Sequence, residues 1–444
     1  MNVTIIGAGP AGLLLAHQLL SAGSHYRIRI YERNDDPRLD GQSGRGFVIS
    51  LAARGQAHLK SVDGLWPAVR EKGVEVTQTA LYSARLHVWN YIKRMPVGGS
   101  PSLLINRNAM CSAMLDQLAP YRDRCEILFN RSCLGVDIKE RKVHLAVADE
   151  WMTSQCFDLL VGADGVHSVV RNALLSQPGF SFSQISLNTV WKAVYVQRPT
   201  GLQPGTTYFL NPAPAAGHPA PPQLAGAAMP ALNDSLCLLM FWQRSADSEE
   251  NNPPGIASSA DFQRALAQQW LPGLTITPEE ARVWFEQRPS RILETRCSRY
   301  HDPAGRVVLL GDAAHGMSSA LAQGCQAGLA DATALANLLR QYPNDLPGVL
   351  KQYSRQQVRE GHAISDLNAY LRPQAKWLSI LFKVSATVQM KIQQLAPRWG
   401  KAPLFAQLAR PDIPYSAIAD QYRLWIRLIR WSNGKGDSNV YRRN

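Results

Sequence analysis

Asn2-Val3-Thr4-Ile5-Ile6-Gly7-Ala8-Gly9-Pro10-Ala11-Gly12 is the stretch whose reading decides the fold. Five mostly apolar residues form a short buried strand that runs directly into G-x-G-x-x-G, and Leu13 to Leu20 then has helical spacing before Ala22-Gly23 ends it. Each glycine has a separate task. Gly7 permits the tight turn, Gly9 lets backbone approach a pyrophosphate, and Gly12 lets the helix lie close against the strand, with Ala11 in the same turn. A second strand, Arg27-Ile28-Arg29-Ile30-Tyr31, ends at Glu32, about twenty residues after Gly12, where an acid can bind ribose hydroxyls. Strand, glycines, helix, strand and acid agree in spacing, so the opening of the chain reads as an adenine-dinucleotide site of the Rossmann type. Glu32 speaks against a 2′-phosphate at this site, because two like charges would meet.

A second landmark lies far downstream. Val308-Leu309-Leu310 is a buried strand ending in Gly311-Asp312-Ala313-Ala314-His315, and Gln323-Gly324-Cys325-Gln326-Ala327-Gly328 starts an Ala/Leu-rich helical stretch to Arg340. A carboxylate and a helix start are thereby brought together. The carboxylate suits sugar or ribityl hydroxyls, and the helix N-terminus offers unpaired N–H groups to an electron-rich ring edge. An ordinary capped loop is the alternative reading of this segment taken alone. Between the two landmarks, Phe157 to Gly165 is another buried strand and turn, followed by a helix in which Ser168 is the cap and Arg171 lies one turn in.

At 444 residues with 45% hydrophobic content the chain supports two domains or one elaborate one. Its seven cysteines include no C-x-x-C pair or metal-like spacing, so no metal and no disulfide framework are expected, and a reducing cytoplasm fits. The first residues enter an apolar strand without a basic leader, and no apolar run reaches the roughly 18 residues of a membrane span. The net charge is +13, but from Arg372 to Asn444 thirteen Lys/Arg stand against Asp412, Asp420 and Asp437, a net of +10. These bases are spaced among apolar residues and carry no nucleic-acid signature, so no nucleic-acid partner is expected. Within this region Ser416 to Trp431 reads as one helix with Ile418, Tyr422, Trp425 and Ile429 opposite Arg423, Arg427 and Arg430. Such a helix packs on the body, covers a pocket, or lies peripherally on an anionic membrane.

The expected fold class is α/β: a Rossmann-like, glutathione-reductase-type FAD-binding domain with an inserted mainly β substrate domain and a C-terminal helical region. The parts are 1–75, 105–180 and 300–371 for the FAD-binding domain, 76–104 for strands of the substrate domain, 181–299 for its mainly β body, and 372–444 for the basic helices. Residues 74–107 alternate as hairpin strands around the turn Pro96 to Gly99, and Trp377 to Gln394 is expected to be helical. Thr277-Pro278-Glu279-Glu280 opens a capped helix.

The glycine motif with Glu32-Arg33, the Asp164-Gly165 segment and Gly311-Asp312-Ala313-Ala314-His315 occur in the order and spacing of the single-component FAD-dependent aromatic hydroxylases, the group A flavoprotein monooxygenases, which this chain resembles. The loop Gly44 to Gly55 and the tail Pro403 to Tyr415 are similar to kynurenine 3-monooxygenase-like members in particular. The resemblance implies FAD, reduced by NAD(P)H and most readily NADPH, with O2 as co-substrate and a flavin C4a-hydroperoxide as the oxygen donor. It also implies roles. Glu32 would hold the adenosine ribose, Arg33, Arg45 and Arg107 would contact FAD, and Asp312 would take the ribityl chain. The backbone around Gly324, Cys325 and Gln326 would face the pyrimidine edge, and Asp164 and Arg171 would lie near pyrophosphates. No side chain is assigned a catalytic role, since the flavin performs the chemistry. From the residues alone, Arg45 reads equally as a solvated loop arginine.

The chain departs from the kynurenine pattern where substrate binds. Thr79 stands where those enzymes place a carboxylate-binding arginine, Val97 near their tyrosine and Gln374 near their asparagine, while Tyr415 is retained. Ser319 replaces a proline and Gln326 an asparagine. Loss of an arginine–carboxylate pair removes several kcal/mol of recognition, roughly, from a closed pocket. A small hydrophobic substrate such as an indole, phenol, polyketide or terpenoid of secondary metabolism is therefore expected, hydroxylated or epoxidised. The alternatives are a flavin-dependent reductase or halogenase, or a non-catalytic, FAD-stabilised protein attached to membrane. The halogenase motif W-x-W-x-I-P is absent from the chain.

Overall fold

The computed structural model describes residues 1–39, 46–83, 88–93, 101–147, 150–153, 156–210, 225–244, 251–253, 256–265, 274–371, 375, 377–378, 381, 402, 404–433 and 442–443. Its organising element is a five-stranded sheet in the order Val307–Leu309, Leu159–Gly162, Asn2–Ile6, Arg27–Tyr31, Cys125–Leu128. Every neighbouring pair is parallel. These strands are short and almost continuously apolar, as a sheet covered on both faces requires. The helices Pro10–Ala22 and Gly324–Gln341 pack together against it, and Leu13, Leu14, Leu15, Leu329 and Leu335 join the strands in one core. Parallel strands all end on the same side, so the loops after Ile6, Tyr31, Gly162 and Leu309 share one edge of the sheet although they lie up to about three hundred residues apart.

A second sheet runs Ser290–Cys297, Phe182–Gln197, Ser235–Gln243, Ala225–Ala231, Thr206–Leu210, Gln78–Ser83, Val88–Lys93 along its main path. It is antiparallel except where Thr206–Leu210 meets Gln78–Ser83. One face carries Val190, Val194, Leu236, Leu238, Met240 and Trp242 onto Phe262 and Trp284 of two short helices, the second of them Pro278–Glu286 with the capping box Thr277–Glu280. Lys192 is buried there and donates to Asn252 and to the carbonyls of Trp284 and Phe285. Period-2 alternation sends the other face, with Ala193 and Tyr195, toward Val48, Val76 and Leu104.

The region 76–104 is more divided than its alternation suggests. Ser102–Asn106 pairs with Val48–Leu51 and Gly73–Val76 in a small third sheet, while Gln78–Ser83 and Val88–Lys93 belong to the large one. The turn expected at Pro96 to Gly99 lies outside the described residues, as does most of the helix expected from Trp377 to Gln394.

The tail also differs from the expectation. The single helix expected from Ser416 to Trp431 is two, Tyr415–Gln421 and Arg423–Asn433, broken at Tyr422. Both helices turn apolar residues, Ile418 from the first and Ile426 and Ile429 from the second, inward onto Ile364 and Leu367 of the helix Leu346–Tyr370. Leu424 is left 77% exposed. Arg430 and Arg296 both donate to Asp366, fastening the second tail helix to the body.

Candidate active site

The glycine turn is built as its spacing requires. Gly7 adopts φ +106°, and a β-carbon there would lie 2.3 Å from the Ala163 carbonyl oxygen. A β-carbon at Gly12 would lie 2.4 Å from the Gly7 carbonyl oxygen. Only glycine fits at either point. The Glu32 carboxylate accepts from Ala8 N at 2.8 Å and from the Asn34 side chain at 2.6 Å, so it sits directly beside the glycine turn. Arg33 is exposed just beyond it.

Arg107 starts the helix Arg107–Asp116, which Asn106 caps by accepting from Asn108 N and Ala109 N. Its guanidinium lies over Gly9, 3.2 Å from where a β-carbon would stand. Burial works against its charge, but Cys111, Glu32 and Asp312 more than offset this and raise its pKa. Arg107 thus bridges the two ends of the cleft, one marked by Glu32 and the other by Asp312.

Asp312 is the first residue of the short helix Asp312–His315, entered through Gly311 at φ +57°. Gly311 packs on Ala11 and Gly328, where three small residues let the first helix, this turn and the late helix meet. The Asp312 carboxylate opens on the cleft and accepts no hydrogen bond among the described residues; enclosure raises its pKa against the pull of His315 and Arg107. Gly324 lies beside it, with its β-carbon position 3.9 Å from Asp312 Oδ1. The N-terminus of the 18-residue helix Gly324–Gln341 therefore opens next to this carboxylate.

The turn behind Asp312 is fixed by a pair that carried no assignment in the sequence. Asp331 Oδ2 accepts from Gly311 N at 2.8 Å and meets His315 Nε2 at 2.5 Å, both side chains being buried. Burial lowers the His315 pKa, but Asp331 more than offsets that and raises it. The signal for Asp331 was present: it is an acid on the buried face of an Ala/Leu helix, where a charge needs a partner.

Asp164 and Arg171 occupy different environments. Asp164 Oδ2 accepts from Val169 N and Val170 N, while its Oδ1 is buried without a partner among the described residues. Arg171 is 2% exposed, donates to the carbonyls of Ala313 and Val166, and stacks over Phe182 at 4.6 Å. The Arg171 guanidinium is turned into the protein and ties the Asp312 helix to the turn after Asp164. Tyr415 is likewise buried, and its hydroxyl donates to Gln323 Oε1 at 2.9 Å rather than opening toward a substrate. Gln326 accepts from Gly55 N and donates to the Ala322 carbonyl, leaving its backbone at the helix start. Cys325 is half-buried beside it. Thr79 lies on the large sheet in register with Thr207. Arg45, Val97 and Gln374 lie outside the described residues.

The large sheet is attached to this cleft at two points. Phe47, whose carbonyl accepts from Arg107 N, packs edge-on against Trp191 at 5.1 Å. At the other end Thr295 N donates to the Gly316 carbonyl just after the Asp312 helix. The donor set fits FAD: a glycine cradle any β-carbon would fill, a bridging arginine, an acid at each end and an unpartnered buried Asp164 oxygen. No group of His, Cys, Asp and Glu suited to a metal occurs among the described residues.

Comparison with known proteins agrees. The family model described as FAD binding domain matches residues 1–366. Kynurenine 3-monooxygenase of Flavobacterium psychrophilum is 25% identical over 431 residues, covering 94% of this chain and 91% of that protein. The tetrameric form of 2-methyl-3-hydroxypyridine-5-carboxylic acid oxygenase superposes with a TM-score of 0.64 at 19% identity, over 92% of this chain and 96% of the other. Klebsiella pneumoniae HpxO, solved with FAD and uric acid, gives 0.62 at 21% identity, over 96% and 97%. The chain belongs to the FAD-binding-domain family, and it is an FAD-dependent monooxygenase.

Proposed function

We propose that this monooxygenase acts on a small hydrophobic aromatic or natural-product substrate, hydroxylating or epoxidising it at the expense of NAD(P)H and O2. FAD, when bound, supplies the chemistry of oxygen activation. The chain's own residues bind and orient. Glu32 and Asp312 would accept from hydroxyls at the two ends of the cofactor, Arg107 would offset phosphate charge between them, and the N-terminus of Gly324–Gln341 would offer backbone N–H groups to the electron-rich edge of the ring.

The observation that carries the substrate class is a register row. Leu81, Phe209, Ala227, Leu239 and Ala193 lie opposite one another on successive strands. All five point to the face that meets Phe47 and Val48, because their neighbours Ala80, Tyr208, Ala228, Leu238 and Val194 fill the core behind. Leu81 and Phe209 are 43% and 44% exposed, which leaves adjoining apolar surface available to a ligand. Trp191 and Phe241 extend the same surface by one row. No charged residue occupies these positions, and the polar groups beside them include the Thr79 hydroxyl and the Tyr195 hydroxyl, the latter accepting from Asn106 at 2.6 Å, while Asn90 stands opposite Leu81 on the next strand. An apolar floor without a carboxylate-binding cation supports an indole, phenol, polyketide or terpenoid over an amino acid.

The test is ligand-stimulated NADPH oxidation by purified holoenzyme, with oxygen uptake and product mass followed together. Stimulation by apolar aromatics with gain of one oxygen atom supports the reading; stimulation by kynurenine alone, or NADPH oxidation without any oxygen requirement, overturns it. A cytoplasmic protein in peripheral contact with membrane accompanies this reading. Phe405, Leu424 and Trp431 are 59%, 77% and 58% exposed, and Arg423 and Arg427 lie on the tail surface with the last two, a combination suited to an anionic bilayer in which such substrates partition. No helix among the described residues is long and apolar enough to cross a membrane. Pelleting with anionic vesicles at low salt, reversed by high salt, is expected; recovery in the supernatant at low salt refutes the contact.

A further inference from the structure

The helix that opens beside Asp312 begins at an awkward turn. Ala322 takes φ +52°, a left-handed conformation that an L side chain adopts at a cost, and Gln323 immediately precedes the first helical residue. Two sets of side chains from distant parts of the chain hold that turn. Gln326 bridges it to the second helix of the chain, Ala53–Lys60, accepting from Gly55 N at 3.1 Å and donating to the Ala322 carbonyl at 3.0 Å. Gly55 lets the two approach closely, since a β-carbon there would lie 3.0 Å from Gln326 Cγ. Tyr415 of the tail is the other clamp. Its hydroxyl donates to Gln323 Oε1 at 2.9 Å, and the Gln323 amide in turn donates to the Leu321 carbonyl at 3.2 Å, so both ends of the glutamine side chain are held.

Arg54 joins the two clamps. It adjoins Gly55 in sequence, stacks on the Tyr415 ring with its guanidinium carbon 4.2 Å from the centroid, and donates to the tail carbonyls of Leu408 at 2.9 Å and Ile413 at 2.5 Å. Ser416 adds a hydroxyl bond to Glu360. Tyr415 and Pro414 also line a half-open pocket of about 290 Å³ whose walls include Arg54, His315, Asp331 and Glu360. The family match ends at residue 366, so this latch is made by a segment outside it.

We propose that Tyr415 is a positioning residue that acts through Gln323, and that docking of residues 404–433 and binding of FAD are thermodynamically coupled through the Ala322–Gln323 turn. The inference rests on the reading that the start of Gly324–Gln341 faces the flavin. Coupling is reciprocal: whatever factor in FAD affinity the docked tail contributes, bound FAD returns as tail stability.

The experiment uses the full chain with FAD as the probe. Tyr415→Phe keeps the ring and its stacking on Arg54 and deletes only the donor. Its FAD dissociation constant is expected to rise about five-fold, the net worth of one buried hydrogen bond. The visible absorption bands of the bound flavin shift as its surroundings change, while the melting temperature of the FAD-free protein moves by no more than about two degrees. In the wild-type protein, FAD is expected to slow amide hydrogen exchange across 415–421, and in Tyr415→Phe to slow it much less. An FAD affinity within twofold of wild type in Tyr415→Phe overturns the proposal, as does tail exchange in the wild type that is the same with and without FAD. If the variant fails to fold, the wild-type exchange experiment decides alone. A protein that binds no FAD under any condition refutes the cofactor reading instead, so the two failures are distinguishable.

Discussion

Replacing Asp312 by alanine and, separately, by asparagine divides the cost of holding this carboxylate from the benefit it brings. In the protein without FAD the group faces the cleft with no hydrogen-bond donor among the described residues, and its pKa is raised by enclosure, with His315 and Arg107 opposing and Asp331 assisting. A raised folded-state pKa means the native protein holds this proton more tightly than the unfolded chain. The associated stability is complete below the ordinary carboxylate pKa and is lost as pH rises through the raised value, so at neutral pH the ionised group is a net cost to FAD-free protein. Asp312→Asn should therefore keep or raise the melting temperature of that form at pH 7. Binding runs the other way. A hydroxyl donated to a carboxylate contributes about 1.5–3 kcal/mol, so Asp312→Ala should weaken FAD binding roughly ten- to a hundred-fold. The same bond favours the ionised form, so wild-type FAD affinity should fall as pH is lowered through the raised pKa of Asp312, and Asp312→Asn should flatten that dependence. Fluorescence titration of FAD-free protein at several pH values, paired with thermal melts, measures both effects. An FAD dissociation constant in Asp312→Ala within twofold of wild type would refute the assignment, and so would affinity and melting temperature falling together in both variants.

Asp331→Ala leaves the Gly311 amide and His315 Nε2 buried without their acceptor, and should cost about 3–5 kcal/mol in urea unfolding, with Asp331→Asn losing less because an acceptor oxygen remains; a loss below about 1 kcal/mol for the alanine variant contradicts the role given to the pair. His17 is buried with its ring 2.8 Å from the Met114 carbonyl, and burial lowers its pKa from 6.5 to about 4 despite that bond. The unfolded chain therefore takes up a proton that the native one refuses, and stability falls as pH drops from 6.5 toward about 4, by on the order of 3 kcal/mol in total. The melting temperature of His17→Gln should drop less between pH 7 and pH 5 than that of wild type, and parallel curves would remove His17 as the cause. Thr79→Arg places a cation on the apolar floor; it should reduce kcat/KM for an apolar aromatic about ten-fold and let aromatic carboxylates stimulate NADPH oxidation. Unchanged substrate preference in that variant would show that Thr79 does not face the substrate.

Most of what the sequence by itself determined is local. The strand–glycine–helix unit at Asn2 to Ala22, the acid twenty residues beyond Gly12, the strand ending at Asp312 and the helix from Gly324 are written in hydrophobic period and turn chemistry, which act over a few residues. The capped helix after Thr277 was legible for the same reason. Motif order then implied the family and its cofactor. Tertiary structure alone decided which side chains meet. Arg171 reads as a phosphate ligand from its place after a strand and turn, but it is spent on the Ala313 carbonyl, 142 residues away. Tyr415 reads as a substrate contact, yet its partner is Gln323, 92 residues distant, and Arg54 reaches carbonyls more than 350 residues downstream. The tail pattern specified one amphipathic helix, and the folded chain divides it at Tyr422 into two that both pack on Leu346–Tyr370. The apolar floor emerged the same way, because Leu81, Phe209, Leu239 and Ala193 become neighbours through register between strands, which the periodicity of any one strand does not contain.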